Sequence, residues 1–223
     1  MAQADEAGAG FGEPAPRQGR VSPRVAAEFP GLGIASIEVA GGRRRSPEPV
    51  LGRLRELSDR FYGAHAVHMR ERPIPWAYRV FLRHIGLDPD RTRTPVEELA
   101  LERLEQGGFK SRGLPDDALT IATAETGVAL SAYDAESLTG VICIRDSAPG
   151  ESLVGRHGEL PAGTLVVADE REPVALLFGA TAEGRTVERH ARRILIAAVQ
   201  VNGVPEIAVD EALRIAASTL EAA

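Results

Sequence analysis

The chain has 223 residues, 43% hydrophobic and only 4% aromatic, with a formal net charge of −6. That length carries one sizeable domain, its core built from Val, Ile, Leu and Ala, and the acidic balance excludes a general nucleic-acid coat while allowing a local basic patch, because field strength follows charge distribution. A single cysteine, Cys143, excludes a disulfide framework or a Cys-based metal site within one chain, and no apolar run reaches the roughly 18 residues that a membrane span needs.

The opening Met1-Ala2-Gln3-Ala4-Asp5-Glu6 lacks the basic and apolar regions of a secretory signal, so the expectation is a cytoplasmic protein. Residues 1–22 are rich in Ala, Gly, Pro and Gln and read as a flexible tail ahead of a single domain over 23–223. Gly8-Ala9-Gly10-Phe11-Gly12 lies within that tail; with no strand before it and no helix after it, it does not read as a phosphate loop. Ile34 to Ala40 reads as a strand, broken by Gly41-Gly42-Arg43-Arg44-Arg45-Ser46. Three consecutive arginines can touch phosphate, but the segment reads first as a solvated loop.

Pro47 to His68 reads as a helix, with Val50, Leu54, Leu57 and Phe61 on one face. His65, His68 and Glu71 share helical spacing, yet without a Cys or Asp cluster they read as surface residues, and no metal or other cofactor is expected. A second helix is expected over Trp76–His84. A third starts at Thr94-Pro95-Val96-Glu97, where Thr caps, Pro suits the first helical position and Glu lies three residues on. Asp116-Asp117 and Gly127 bracket a short helix. Strands are expected at about 139–145, 151–155, 164–168 and 173–178, with Asp169-Glu170-Arg171-Glu172 as a hairpin between the last two. Ile194 to Val201 reads as another strand, and Val209 to Ala222 as a closing helix. The class is α+β: an antiparallel, β-sandwich-like core with flanking helices.

The central stretch carries a family resemblance. Asp117, Thr120, Glu125 and Gly127 fall on an Asp-x-x-Asn…Glu-x-Gly segment, and Ser131-Ala132-Tyr133-Asp134 on a His-Ala-Phe-Asp segment. Gly140 to Arg145, Gly150-Glu151 and Thr164 to Asp169 follow in the same order. In this the chain resembles the editing module of the bacterial phenylalanine–tRNA ligase beta subunit, formed by its third and fourth (B-three/B-four) domains, and the free-standing proteins that carry this module alone. The resemblance runs over roughly residues 74–202. It implies a β-sandwich with surrounding helices, aminoacyl-tRNA as partner, and hydrolysis of mischarged tRNA. The family uses a His near the Asp-closed turn and a Glu on a late strand. Here Ser131 stands at the His position and Ala197 at the Glu position. A methyl group cannot accept a hydrogen bond from a tyrosine hydroxyl, so selectivity for that hydroxyl has no evident source.

Two readings follow. In the first, the chain is a trans-acting aminoacyl-tRNA deacylase. Ser131 orients water, Glu125 is the nearest carboxylate base, and backbone N–H groups from Gly127 to Ala132 hold the oxyanion. Tyr133 walls the pocket with Ala132 leaving room beside it, while Arg145 and Ala197 complete the substrate-facing set. Arg145 and Glu151 also read as a structural pair, and Asp134 as a turn-holder. In the second reading, the chain has kept the pocket and lost the chemistry, and binds tRNA, an amino acid or a related small molecule. Arg53, Arg55, Arg60, Arg79, Arg83, Arg91 and Arg93 are then the expected basic cluster.

Overall fold

The computed structural model describes residues 15–61 and 68–222. Its β-branched and small apolar segments pair into two four-stranded sheets. In the first, β1 (Arg17–Gln18), β3 (Gly33–Ala40), β8 (Arg193–Gln200) and β4 (Ala129–Asp134) lie side by side in the order β1-β3-β8-β4, all antiparallel. Ile194, Ile196, Ala197 and Ala198 of the inner strand β8 are all buried, which explains its continuous apolar run. In the second sheet, β2 (Arg20–Val21) pairs parallel with β5 (Cys143–Asp146), and β6 (Leu165–Ala168) and β7 (Pro173–Leu176) follow antiparallel. Pro173 opens the edge strand, where its missing N–H leaves no inner ladder unpaired.

Part of the expected tail pairs into the sheets. Arg17 to Val21 crosses from one sheet to the other, and Gly19 is the crossing point. Its N–H donates to the Ile34 carbonyl at 2.7 Å, and the next N–H, of Arg20, donates to the Ile142 carbonyl at 3.1 Å. A Cβ on Gly19 would lie 2.7 Å from Ile34 Cγ2 and 2.8 Å from the Ile142 carbonyl oxygen. Gly19→Val is therefore expected to force the two sheets apart locally, costing about 2 kcal/mol. A thermal melt checks this: a midpoint lower by about 4–8 °C is expected, and an unchanged midpoint would mean the crossing carries no stability. Residues 1–14, with the Gly8–Gly12 motif, lie outside the described residues.

The helices follow their start and stop signals. α1 (Pro23–Glu28) is capped by Ser22, whose hydroxyl accepts from the Val25 N–H. α2 (Glu48–Arg60) buries Val50, Leu54 and Leu57. It ends at Phe61, before the expected His68; residues 62–67, with His65, lie outside the described residues. α3 spans Pro73–His84, starting before Trp76 because prolines suit a first helical turn. α4 (Pro95–Gln106) has the expected capping box, with Glu97 accepting from the Thr94 N–H at 3.1 Å, and Gly107 ends it in the left-handed conformation. α5 (Asp116–Thr126) ends at Gly127, and α6 (Glu206–Glu221) packs across β3, β8 and α5.

One strand expectation and one turn expectation are corrected. Residues 151–155 form a loop: the Glu151 carbonyl accepts from the Leu160 N–H at 2.6 Å, and the Glu151 side chain turns back to Arg145. Leu130 to Asp134, which read as an Asp-closed turn, belong to the full strand Ala129–Asp134, with Ser131 opposite Ala197. Asp134 does close a turn, its carboxylate accepting from the Glu136 N–H at 3.0 Å just past the strand.

Candidate functional site

Strand register brings Ser131 and Ala197 together. Ser36, Ala197 and Ser131 face one another across β3, β8 and β4, so their side chains share a sheet face, and Tyr133, two residues on, shares it. Tyr133 is 1% exposed. Burial pushes its phenol up to about 12, countered in part by the neighbouring Ser131 hydroxyl. Ser131 thus meets a buried phenol rather than a base. Ala132 points to the opposite face, so it leaves no room beside Tyr133.

The other nominated residues lie elsewhere. Glu125, at the end of α5, accepts both Nε and Nη2 of Arg53, at 3.1 and 2.6 Å, with Arg60 at 3.7 Å. Arg145 forms a two-pronged pair with Glu151, at 2.7 and 2.6 Å. That pairing holds the Glu151 carboxyl below its usual range. Gly127 caps α5, and a Cβ there would meet Ile74 at 3.4 Å. Three backbone donors expected at an oxyanion are already engaged: Gly127 N–H to the Thr123 carbonyl, Val128 N–H to Thr126 Oγ1, and Ala129 N–H to the Tyr78 hydroxyl.

Two clefts meet at Arg112. The first is organised by Asp117, 1% exposed at the start of α5. Its carboxylate accepts from the Ser46 hydroxyl at 2.6 Å, the Arg112 N–H at 2.8 Å and the Ser111 hydroxyl. This ties the Arg43–Ser46 loop to the Ser111–Gly113 turn, and reciprocal backbone bonds between Arg44 and Leu114 reinforce the junction. The cleft is about 670 Å³ and is lined by Arg43, Arg44, Arg45, Arg112 and Arg189.

The second cleft, about 360 Å³, lies between α4, α5 and the edge of β4. Leu99, Leu119 and Leu130 give it an apolar wall, Thr120 and Thr123 offer hydroxyls, and Glu98, Glu102 and Asp116 make it acidic. Desolvation pushes the Glu98 carboxyl up, partly countered by Arg93. Arg112 reaches Glu102 at 3.6 Å from the shared border. Among the described residues, no group of three or more His, Cys, Asp or Glu is placed to hold a metal ion. No helix among them is long and apolar enough to cross a membrane.

The second-quarter arginines do not form the expected open basic cluster. Arg53 and Arg60 meet Glu125, Arg55 meets Glu48, Arg91 meets Asp88, and Arg79 is buried between Asp90 and Glu97. Arg83 lies 5.5 Å over the Trp76 ring, and Arg93 is exposed. The basic cleft is instead assembled from three separate segments, of which only Arg43–Arg45 carries a local sequence signal. Glu98 sits one residue past a capping Glu and reads in sequence as part of a helix start. Thr120 falls on the motif, but nothing local marks Thr123 or Leu130 as its neighbours in a cleft.

Residues 77–219 match the family model described as the B3/4 domain. The chain is 35% identical over 94 residues to the phenylalanine–tRNA ligase beta subunit of Streptomyces avermitilis, 41% of this chain and 11% of that subunit. It is 34% identical over 100 residues to the same subunit of Photorhabdus laumondii, 43% of this chain and 12% of that subunit. For Methylococcus capsulatus the identity is 36% over 94 residues, 41% of this chain and 12% of the subunit. The matched stretch thus spans 11–12% of the length of these curated relatives.

Proposed function

Because this chain belongs to the B3/4 domain family, we propose that it is a tRNA-directed binding module that receives the aminoacyl end of a charged tRNA in the cleft between α4, α5 and β4. The observation that carries this reading is the lining of that cleft, which offers carboxylates, hydroxyls and an apolar wall in about 360 Å³. An α-ammonium pairs with Glu98, Glu102 or Asp116. An apolar side chain packs on Leu99, Leu119 and Leu130. Thr120 and Thr123 hydrogen-bond the ester or ribose oxygens.

Binding is favoured over hydrolysis because the residues nominated for hydrolysis do not converge. Ser131 lies beside a buried phenol, Glu125 is neutralised by two arginines, and the backbone donors after α5 are occupied. One observation supports deacylation as a second reading. Glu98 lines the cleft with a carboxyl that burial pushes above its usual value, which makes it a stronger base than a solvated carboxylate.

The test is an ester-loss assay on a panel of charged tRNAs, including tyrosine on phenylalanine tRNA, with wild-type protein and Glu98→Gln. The expected result is ester loss at the buffer rate for both proteins, with Glu98→Gln retaining charged tRNA about tenfold less well through loss of an ammonium partner, about 1.4 kcal/mol. Ester loss above buffer that disappears in Glu98→Gln would replace the binding reading with the hydrolytic one.

A further inference from the structure

The basic cleft beside the aminoacyl cleft has no role in the reading above. Arg43, Arg44 and Arg45 lie before the stretch that matches the B3/4 family, whereas Arg112 and Arg189 lie within it. The fold builds this arrangement tightly. A Cβ on Gly42 would lie 2.3 Å from the Ala191 carbonyl oxygen, and one on Gly113 would lie 2.7 Å from the Arg44 carbonyl oxygen. The Arg43 N–H donates to the Glu188 carbonyl at 3.1 Å, fixing the loop against the segment that carries Arg189. Asp117, Ser46 and Ser111 lock the opposite wall.

Not every guanidinium is free. Arg43 pairs with Asp116 at 2.9 Å, Arg112 with Glu102 at 3.6 Å, and Arg44 donates to the Leu220 carbonyl at 3.0 Å. Among the described residues, Arg45 and Arg189 are exposed and have neither an ion pair nor a side-chain hydrogen bond. Two uncompensated guanidinium groups thus face a cleft whose other three arginines are held in place, in a chain of net charge −6. The lining has one apolar member, Leu51, and no aromatic residue, so it offers charge and little stacking surface. Planar guanidinium donors of this kind match phosphate oxygens.

We infer that the Arg43–Arg45, Arg112 and Arg189 cleft is a site for the phosphate backbone of single-stranded RNA, with Arg45 and Arg189 as its principal contacts. The inference rests on the tRNA reading and deepens it. The clefts meet at Arg112, so one strand passing through the basic cleft delivers its terminal nucleotide to the acidic one. The contact is to backbone and so is indifferent to base sequence.

The test measures binding of labelled deacylated tRNA, and of inorganic tripolyphosphate, to wild-type protein, to Arg45→Glu/Arg189→Glu, and to Arg72→Glu/Arg156→Glu. The last carries the same charge change outside the cleft. All three are first shown to unfold at similar temperatures. The expected result is RNA binding weakened at least about tenfold in the cleft variant alone, with the slope of log affinity against log salt reduced by roughly 1.4 for two lost phosphate contacts. Equal weakening in both variants would overturn the cleft assignment in favour of a diffuse charge effect. An unchanged affinity in the cleft variant would overturn it while leaving tRNA as the partner. Wild-type protein that holds tripolyphosphate but no RNA would overturn the RNA assignment together with the reading it rests on.

Discussion

Asp117→Ala is expected to lower the thermal midpoint by about 6–12 °C, equivalent to about 3 kcal/mol for a domain of this size. The carboxylate is 1% exposed and accepts three hydrogen bonds, from Ser46, Ser111 and the Arg112 backbone. Removing it leaves three donors without their acceptor, and buried donors so orphaned each cost about 1–3 kcal/mol less whatever water recovers. The consequence extends past stability. Asp117 joins the Arg43–Ser46 loop to the Ser111–Gly113 turn, so the variant is expected to lose the arrangement of the basic cleft as well. Asp117→Asn separates the two effects. It keeps the volume and one acceptor oxygen, so it should fold better than Asp117→Ala while holding Ser46 and Ser111 less firmly. A melt and a tRNA-binding titration on both variants check this. A midpoint for Asp117→Ala within 2 °C of wild type would contradict the role given to Asp117.

Asp169→Ala is expected to destabilise by about 3–5 kcal/mol, the range for breaking a buried, hydrogen-bonded charge. The Asp169 side chain has 0% exposure and Arg185 lies 3.6 Å away. It accepts N–H donors from Thr139, Arg171 and Glu172 at 3.0, 2.8 and 2.9 Å, holding the β6–β7 hairpin against the segment that leads into β5. Burial alone raises its pKa, but the three backbone donors and Arg185 outweigh that and hold the carboxyl below its usual value. The sign of the pH effect follows. A carboxylate depressed in the folded state contributes stability above its unfolded value, near 3.9 for Asp and 4.3 for Glu, and that contribution is lost as pH falls through the folded value. Glu151, depressed by Arg145, acts in the same direction. The contribution of Asp169 and Glu151 is thus expected to be level from about pH 7 to 5 and to fall below about pH 4, while Glu98, raised by burial, acts in the opposite direction. Urea unfolding of wild type and Asp169→Ala across that range is the check. The variant should be weaker at pH 7 and show a shallower acid loss; equal acid slopes would mean that Asp169 is not a principal source of the pH dependence.

Local chemistry made much of the fold legible. The Thr94-Pro95-Val96-Glu97 start, the Gly127 stop and the Asp169 turn each depend on neighbours within a few residues, and each is found where the sequence places it. Ser131 and Ala197 were placed one by one on the family's His and Glu positions, and only strand register shows that they lie opposite one another. What escaped is non-local. Residues 130–134 read as a turn because Asp134 closes one, while the strand they belong to pairs with β8, about 60–70 residues away. Leu153 looks like the centre of a strand because it is apolar, yet it is buried inside a loop that Glu151 anchors to Arg145. The second-quarter arginines read as an open basic surface because sequence spacing does not reveal that Glu125, Glu48, Glu97 and Asp90 reach them. The basic cleft escaped for the converse reason: Arg112 and Arg189 reach the Arg43–Arg45 loop only through folding.

The proposed function depends on an aminoacyl group entering the cleft between α4, α5 and β4. Its most direct test is a calorimetric titration of wild-type protein with an adenosine carrying an amide-linked amino acid at its 3′ position, beside adenosine alone. The amide resists hydrolysis, so binding is read without chemistry. Saturable binding of the aminoacyl compound is expected, at least about tenfold tighter than adenosine, a difference of about 1.4 kcal/mol. Equal affinity for the two compounds, or no binding of either, would contradict it.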